Sequence, residues 1–336
     1  MGTEAGMPLV TVVIPIYNSA DKFINCLESI CRQTYERLEI LCIDDGSTKP
    51  ITCEQETKIK QDGRVRLFRR RHKGPGAARN YGIKNASGDY ILFVDSDDTI
   101  LPEMIEVMAK EVYDNPEIDL VICGFELYQN DQLCDRKIIP RYTGDSTDFM
   151  GENFKRAYVN LLINAPWNKL IKRSLLTAKA LYFDEEIKIS EDLLFSLDVV
   201  YASKKLVVID QALYRYNYFT PGSLITKYND DMDSIILRVG NKICNCTKAY
   251  PHDHSFYCAD IVNKMIAFMI RIKSNRELSI RERRKKIWGI LTNKEFKTFV
   301  ECARSDAAKL KLKITLIKGG MLVAGICSNQ GKKDYG

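Results

Sequence analysis

The sequence predicts an α/β protein with an open, mostly parallel central sheet, helices on both of its faces, and a helical region after it. Continuous apolar runs, typical of strands buried on both faces, recur through residues 1–125. Segments with helical spacing of apolar residues separate these runs, and the connections are short. From about Thr226 onward only helical patterns remain.

The first part of the chain alternates strand and helix throughout. The predicted strands are Val10–Pro15, Leu38–Ile43, Val65–Phe68, Tyr90–Val94 and Leu120–Leu127. The predicted helices are Asp21–Gln33, Glu54–Gln61, Gly76–Asn85 and a segment from Pro102 to about Asn115. In such sheets ligands bind beyond the carboxyl ends of the strands, so we expect the loops there to carry the chemistry.

The rest of the chain divides at about residue 224. Before this point the predicted helices are Glu152–Ile163 and Glu191–Ala202, and the predicted strands are Leu206–Ile209 and Leu213–Tyr218. After it, helices are predicted at Ile235–Ala249, Ala259–Ile272, Arg281–Leu291 and Lys294–Leu316. We therefore expect two domains, residues 1–224 and residues 225–336.

Composition excludes several classes of protein. Of the 336 residues, 45% are hydrophobic and 28% are charged, which excludes a disordered or collagen-like chain. No uncharged apolar run reaches the roughly 18 residues of a membrane span, and the first residues lack a signal-peptide pattern. The 11 scattered cysteines indicate reduced thiols in the cytoplasm. Cys244 and Cys246 lack a second pair at zinc-site spacing, so we expect no metal at that pair.

Charge is distributed unevenly along the chain. Residues 225–336 hold 22 Lys or Arg and 11 Asp or Glu, whereas the net charge of residues 1–224 is −5. This asymmetry indicates an anionic partner for the last third. Within 280–325, the basic run Arg281–Lys286 and the lysine-containing apolar stretch Leu310–Leu322 favour contact with an anionic membrane surface. Packing on the first domain, or in a homo-oligomer, is the alternative, and no nucleic-acid-binding module is recognisable.

Candidate binding residues follow the first two strands. Pro15, Tyr17 and Asn18 come after the first strand, where an aromatic ring can stack on a planar base. A core tyrosine beside a helix cap is the alternative, and this pattern alone favours it. Asp44 and Asp45 follow the second strand, where a carboxylate can accept a hydrogen bond from a ribose or a base. The Asp-Gly dipeptide there is also typical of an ordinary turn.

The third predicted helix begins in a loop suited to an anion. Backbone amides at the start of a helix attract anions, and Arg79 adds a positive charge to the glycine-rich segment 74–76. The loop lacks both the Walker element and the glycine spacing of a dinucleotide fold. The basic run Arg69–Lys73 either is a solvated edge or helps to neutralise a diphosphate.

An acidic loop follows the fourth strand. Asp95, Asp97 and Asp98, with Ser96 between them, would repel one another without a cation. Carboxylate oxygens suit Mg²⁺ or Mn²⁺, which also bind substrate phosphates. An acidic turn without a metal is the alternative. Together with the preceding loops, this segment predicts a site for a nucleoside diphosphate and a divalent metal.

The ordered motifs resemble those of inverting family 2 glycosyltransferases of the bacterial polysaccharide and wall-glycan type, which have the Rossmann-like GT-A fold. The matching segments are VTVVIPIYNS (10–19), LCIDDGST (41–48), GPGAARNYGI (74–83), GDYILFVDSDD (88–98), APWNKLIKRSLL (165–176) and SEDLLF (190–195). The resemblance covers about residues 7–224. It implies a nucleotide-sugar half over about 7–125 and an acceptor half over about 126–224.

The resemblance assigns the donor to the first half. It implies that Pro15, Tyr17 and Asp45 hold the uracil and ribose of a UDP-sugar, that Arg79 contacts the nucleotide, and that Asn18 lies beside them. Ser96 is also expected at the nucleotide sugar.

The resemblance assigns the metal to the acidic loop. Asp95 and Asp97 would form the DxD element, with Asp95 facing the nucleotide sugar and both residues available to Mn²⁺ or Mg²⁺. It leaves the role of Asp98 and any third protein ligand open.

Asp192 matches the catalytic base of this family. A carboxylate within hydrogen-bond reach can take the proton of an acceptor hydroxyl during displacement at an anomeric carbon. Residues 190–192 are also typical of an ordinary helix cap. Glu191, Trp167 and Asn168 are expected on the acceptor side, and a core tryptophan is the alternative for Trp167.

The predicted function is metal-dependent, inverting transfer of a sugar from a UDP-sugar to a hydroxyl of a glycan or lipid-linked glycan. The expected location is the cytoplasm, at the inner face of the cell membrane. A nucleotidyltransferase is the enzymatic alternative, but it would carry a basic glycine-rich loop after the first strand. An inactive scaffold is the other alternative, and it would not need Asp45, Asp95, Asp97 and Asp192 together.

Overall fold

The structure is a computed structural model that describes residues 6–49, 51–187, 189–218 and 229–303. The chain forms two compact units, residues 1–227 and residues 228–336. We call them the sheet unit and the helical unit.

The sheet unit contains one mixed sheet. Its strands are β1 (Val10–Ile16), β2 (Leu38–Asp44), β3 (Val65–Arg69), β4 (Tyr90–Phe93), β5 (Thr99–Ile100), β6 (Leu120–Gln129), β7 (Gln132–Lys137), β8 (Tyr142–Asp145), β9 (Lys169–Lys172) and β10 (Lys205–Asn217). Its helices are α1 (Ala20–Cys31), α2 (Cys53–Gln61), α3 (Pro75–Asn85), α4 (Met104–Asp114), α5 (Ser146–Phe149), α6 (Glu152–Val159), α7 (Arg173–Ala178) and α8 (Glu191–Ala202).

The strand order is β3-β2-β1-β4-β9-β6-β10-β5, with β7 paired to β6 and β8 paired to β10. Strands β3, β2, β1 and β4 are parallel neighbours, and so are β6 and β10. Strand β9 runs antiparallel to both β4 and β6 and thereby joins the two parallel groups. The carboxyl ends of β1, β2 and β4 therefore meet at one edge of the sheet.

Close packing of α3 on β1 fixes the position of the site. A Cβ atom at Gly82 would overlap the side chain of Val13, so glycine lets the helix approach the strand. Ala77 and Ala78 are buried on the same helix, and their small side chains keep this approach short. Arg79, on α3, is thereby held beside the ends of the strands.

The structure confirms the predicted fold class. The predicted strands 206–209 and 213–218 form one strand, β10, whose register shifts between Val208 and Tyr214. Strands β5, β7, β8 and β9 were not predicted, because they are short or lie within polar sequence.

The helical unit contains α9 (Met232–Thr247), α10 (Pro251–Ser274), α11 (Ile280–Thr292) and α12 (Lys294–Cys302). Helix α10 packs against the other three, and Ile261 and Met265 on it are completely buried. Of the predicted helix over 294–316, α12 covers the part up to Cys302. The described residues end at 303, so the stretch Leu310–Leu322 lies outside them. Among the helices that the structure describes, none is long and apolar enough to cross a membrane.

Candidate active site

An open cleft of about 490 Å³ lies where β1 and β4 end. It brings together every residue predicted to bind the nucleotide sugar, and Asp97 as well: Pro15, Tyr17, Asn18, Asp45, Arg79, Asp95, Ser96 and Asp97. Lys22 and His72 also line the cleft, although neither was predicted as a site residue. The grouping follows from the parallel strands, because their loops share one edge of the sheet.

Tyr17 presents an accessible aromatic surface. Its side chain is 45% exposed, and its ring stacks on that of His72 with the ring centroids 4.1 Å apart. Such a half-exposed aromatic pair can accept a planar base on its open side. His72 was missed because it belongs to the run 69–73, in which the sequence signals only charge.

Asp45 organises the loop that leads into α3. Its buried carboxylate accepts hydrogen bonds from the backbone N–H groups of Lys73 (3.1 Å) and Gly74 (2.7 Å). Arg70 and His72 also lie within 3.2 Å of the same carboxylate. Gly74 has φ +100°, which a residue with a side chain rarely adopts. The carboxylate therefore lines the cleft and at the same time holds the wall beside it.

Asn18 joins the loops after β1 and β2. Its backbone is left-handed, with φ +52°, and its side-chain oxygen accepts hydrogen bonds from the backbone N–H groups of Thr48 and Lys49. Asparagine tolerates this conformation better than most residues do. The side-chain oxygen of Asn18 is therefore occupied by hydrogen bonds within the protein. These bonds fix the shape of the cleft beside Tyr17.

Arg79 links two carboxylates that are distant in sequence. Its guanidinium donates to Asp192 Oδ1 (2.6 Å) and to Asp95 Oδ1 (2.7 Å). Burial opposes the charge on Arg79, but the two carboxylates outweigh this effect and raise its pKa. Arg79 Nε is buried and has no hydrogen-bond partner in the described chain.

Asp98 has a structural role in the acidic loop. Its carboxylate accepts hydrogen bonds from the Tyr214 hydroxyl (2.7 Å) and from the backbone N–H of Asn217 (2.7 Å). Burial, together with the nearby charges of Asp97 and Asp95, raises the pKa of Asp98. The side-chain amide of Asn217 donates to the backbone oxygen of Asp97. Strand β10 thereby fixes the backbone of the acidic loop that carries Asp95 and Asp97.

The two DxD carboxylates fit a divalent cation. Asp97 lines the cleft, and the Asp95 side chain keeps 24% of its surface exposed while sharing one oxygen with Arg79. Hard oxygen donors in such a cleft suit Mg²⁺ or Mn²⁺, which need only one or two protein carboxylates. Ser96, which also lines the cleft, makes a 2.7 Å hydrogen bond between its hydroxyl and that of Ser19.

Helix α8 places two carboxylates at its first turn. Ser190 precedes it with φ +67°, and its side chain makes no cap hydrogen bond. Burial raises the pKa of Asp192 to about 7, and the Glu191 charge adds to this effect, whereas Arg79 opposes it. Burial likewise raises the pKa of Glu191. Asp192 keeps 28% of its side chain exposed, so a ligand can reach it.

Trp167 and Asn168 pack in the interior beneath the site. Trp167 is 5% exposed and stacks on Tyr214 and Tyr216, with ring centroids 4.2 and 5.4 Å away. The Asn168 amide donates to the backbone oxygens of Cys123 and Leu162. As placed, these side chains pack in the interior and do not line the cleft that holds Tyr17 and Asp97.

Lys169 is a further buried group that the sequence did not single out. Its ammonium donates to the backbone oxygens of Leu162 and Ala165 and to Asn168 Oδ1. Burial lowers its pKa to about 7, although the charge of Asp192 acts in the opposite direction. Lys169 lies in an apolar strand, so its burial could be inferred only from the fold.

The profile of the family described as "Glycosyl transferase family 2" matches residues 11–178, half of the chain. The chain belongs to glycosyltransferase family 2. The match includes the cleft-lining residues and the DxD pair but ends before Asp192.

Several bacterial glycosyltransferases are similar to the chain over much of its length. The glycosyltransferase GlyG of Streptococcus pneumoniae is 30% identical over 263 residues, which are 72% of this chain and 81% of GlyG. The uncharacterized glycosyltransferase EpsJ and the putative glycosyltransferase EpsH of Bacillus subtilis are 32% and 31% identical. These matches cover 65% and 66% of this chain, but only 63% and 64% of EpsJ and EpsH.

Solved structures of TarS share the GT-A fold with the chain. S. aureus TarS 1–349, in a crystal structure with UDP-GlcNAc, has a TM-score of 0.66 and 19% sequence identity, and the match covers 97% of this chain and 93% of TarS 1–349. The crystal structure of TarS 1–349 with UDP gives a TM-score of 0.62. At this level of identity the likeness establishes the fold of this family 2 chain.

Proposed function

We propose that this chain is a metal-dependent, inverting glycosyltransferase that moves a sugar from a UDP-sugar to a hydroxyl of a glycan or lipid-linked glycan. One observation carries the proposal. Arg79 joins Asp95, on the donor side of the cleft, to Asp192, at the start of α8. The single side chain of Arg79 therefore holds a donor-side carboxylate, Asp95, close to the candidate base, Asp192.

The donor occupies the cleft in this proposal. The Tyr17–His72 pair receives the uracil by stacking, and Pro15 and Asp45 border the base and ribose. Arg79 and Lys22 line the cleft and provide positive charge toward the diphosphate. The complexes of TarS with UDP and UDP-GlcNAc support this choice of nucleotide, because TarS shares the fold.

The metal is held by the acidic loop. Asp97, with Asp95 beside it, would bind Mn²⁺ or Mg²⁺ at the end of the cleft. A divalent ion there supplies positive charge that stabilises the departing diphosphate. Asp98 is not proposed as a ligand, because Tyr214 and Asn217 already bind both of its oxygens.

Asp192 acts as the general base. The acceptor oxygen forms a bond to the anomeric carbon from the face opposite UDP, the bond from that carbon to the diphosphate breaks, and UDP leaves with the electron pair. The acceptor proton passes to Asp192, whose Oδ1 is held by Arg79. A raised pKa suits this role, because a base with a pKa near the working pH accepts a proton more readily. Glu191 borders the acceptor.

The helical unit provides membrane contact in this proposal. On α11, Trp288 and Ile280 are 61% and 54% exposed, and Arg281 and Lys285 are exposed on the same helix. A tryptophan beside basic side chains is typical of a helix that lies at an anionic interface. The acceptor would then be a lipid-linked glycan at the inner face of the cell membrane.

A thermal-shift screen of nucleotides tests the donor and the metal together. UDP with Mn²⁺ should raise the melting temperature, because a ligand that binds only the native state stabilises it. CTP and ATP with Mn²⁺, and UDP with EDTA, should give smaller shifts. Release of UDP from a panel of UDP-sugars then identifies the donor. Equal shifts with CTP would contradict the assignment and favour a nucleotidyltransferase.

A further inference from the structure

A second cluster of reactive side chains lies within the helical unit. The thiols of Cys244 on α9 and Cys258 on α10, and the imidazole of His254 on α10, offer ligand atoms that all lie within 4.8 Å of one another. The thiol of Cys302, at the end of α12, hydrogen-bonds to that of Cys258. All four side chains line one cavity of about 270 Å³. Three helices, α9, α10 and α12, thus bring thiol and imidazole groups together, and both are metal ligands.

The spacing of the sulfur atoms suits metal ligands. The Sγ atoms of Cys244 and Cys258 are 3.7 Å apart. Two thiolates on a tetrahedral zinc ion, each about 2.3 Å from the metal, are separated by about 3.8 Å. A disulfide would require the two sulfurs to approach to about 2.05 Å. The backbone therefore already holds this pair at the separation that a tetrahedral ion needs.

His254 supplies an independent indication. Its Nδ1 atom is buried and has no hydrogen-bond partner among the described residues. A buried polar atom without a partner costs free energy, so its presence calls for an explanation. His254 and Cys258 are four residues apart on α10, and this spacing places both side chains on one face of the helix. A metal ion in the cavity would accept the nitrogen lone pair.

The charges around the cavity tolerate such an ion. Three thiolates, a neutral imidazole and a divalent cation carry a net charge of −1, and Lys248 lines the same cavity. Glu295 is the acidic side chain among the lining residues, and Asn241 Nδ2 binds its carboxylate at 3.0 Å. The site thus has a cation to offset its charge.

We propose that Cys244, His254, Cys258 and Cys302 bind a structural Zn²⁺ ion that connects α9, α10 and α12. Tetrahedral sulfur and nitrogen ligands favour zinc among the common divalent metals. Four protein ligands leave no open position, so the ion has a structural role. Binding replaces the thiol protons by the metal, and its free energy adds to the stability of the native helical unit.

This proposal revises the expectation drawn from the sequence. The pair Cys244 and Cys246 lacks zinc-site spacing, and only Cys244 of that pair belongs to the cluster. The other three ligands come from positions 10, 14 and 58 residues further along the chain. That spacing matches no short zinc motif.

Metal analysis of the full-length chain tests the proposal. The protein, purified without chelator and under reducing conditions, should contain about one zinc ion per chain. Cys258→Ser and His254→Ala should each lose most of this zinc. Cys246→Ser is the matched control, because Cys246 is also buried and lies on the same helix as Cys244. It should retain the metal.

Cobalt spectroscopy on the unmutated chain keeps the test decisive if a variant fails to fold. Co²⁺ added to the metal-free protein should give the intense visible bands of a tetrahedral thiolate site, and Zn²⁺ should remove them. Cys302→Ser should weaken the thiolate-to-cobalt charge-transfer band by about a third, since one of three thiolates is lost. Absence of both zinc and the cobalt bands, equal zinc loss in Cys246→Ser, or a Cys244–Cys258 disulfide in reduced-buffer mass spectra would overturn the proposal.

Discussion

The two units of the molecule assemble reactive side chains in different ways. In the sheet unit, hard carboxylate oxygens from separate loops surround the buried cation of Arg79. In the helical unit, soft thiols and an imidazole from three helices surround a small cavity. The Asp95 side of the first cluster follows from strand order, because every parallel strand delivers its next loop to the same edge, whereas Asp192 comes from the start of α8, after the antiparallel strand β9. The second depends on how helices pack, which the order of the chain does not reveal.

The two clusters also use charge differently. The carboxylates of the sheet unit are paired with one arginine and remain partly exposed, an arrangement suited to chemistry on a bound substrate. The cysteines of the helical unit include the buried Cys258, and the proposed zinc site, with four protein ligands, would leave no position for a substrate. We therefore expect substitutions in the two clusters to change different measured quantities.

The largest expected effect is on the rate of transfer. Asp192→Asn keeps the shape of the side chain but cannot accept the acceptor proton, and loss of a general base typically costs about 10²–10⁴ in rate. UDP and Mn²⁺ affinity, measured by calorimetry, should remain within a few-fold of wild type, and zinc content should not change. Glu191→Gln should lose much less activity. If Glu191→Gln is inactive and Asp192→Asn has normal activity, the base is Glu191 and not Asp192.

The next effect concerns the metal at the acidic loop. Asp97→Asn should remove the Mn²⁺-dependent part of UDP binding while the protein stays folded, because Asp97 lies at the cleft and not in the core. Calorimetric titration of UDP with and without Mn²⁺ measures this difference. Zinc content provides the internal control for the other cluster. Metal-dependent affinity equal to wild type would exclude Asp97 as a ligand.

A smaller effect is expected in the pH dependence of transfer. Asp192 must be deprotonated to act as a base, and its pKa is raised to about 7. The rate should therefore fall as the pH drops through about 7, well above the ordinary aspartate pKa of about 3.9. Glu191→Gln removes a like charge that contributes to this rise, so its acid limb should move to lower pH. If the acid limb of the Glu191→Gln variant lies at the same pH as that of the wild type, Glu191 does not raise the pKa of Asp192.

The smallest expected effect is spectroscopic and uses the two tryptophans, one in each unit. Trp288 is 61% exposed and Trp167 is 5% exposed. Vesicles containing anionic lipid should shift the fluorescence of Trp288 to shorter wavelength, and salt should weaken this binding. Trp288→Phe should abolish the shift, and Trp167→Phe should retain it. No shift at low salt would favour packing or oligomer contacts over membrane contact.

Much of the nucleotide side could be predicted from the sequence. Tyr17, Asp45 and Asp97 each follow a buried apolar strand, so their meeting required only a parallel sheet. Arg79 is placed by the packing of α3 on β1. The way these side chains are used could not be predicted. The carboxylate of Asp45 binds the backbone of the loop at Gly74, a contact that depends on the exact path of that loop.

The acceptor side was less accessible to sequence reasoning. Asp192 and its helix start were predicted, but the side chain of Trp167 is covered by Tyr214 and Tyr216. Strand β10 supplies those rings, and its pairing with β6 carries two register shifts that no periodic pattern records. The role of Asp98 as an anchor for Tyr214 depends on the same strand.

The arginine shared by two carboxylates has a consequence for the evolution of the site. Loss of Arg79 alone would leave two carboxylates without this ion-pair partner. Loss of Asp95 or Asp192 would leave Arg79 with one of its two carboxylate partners. Groups in one ion-pair network do not contribute additively to stability. The three positions therefore form an epistatic unit, in which the order of substitutions decides which intermediates survive. Donor and acceptor chemistry would accordingly diverge together and not as separate traits.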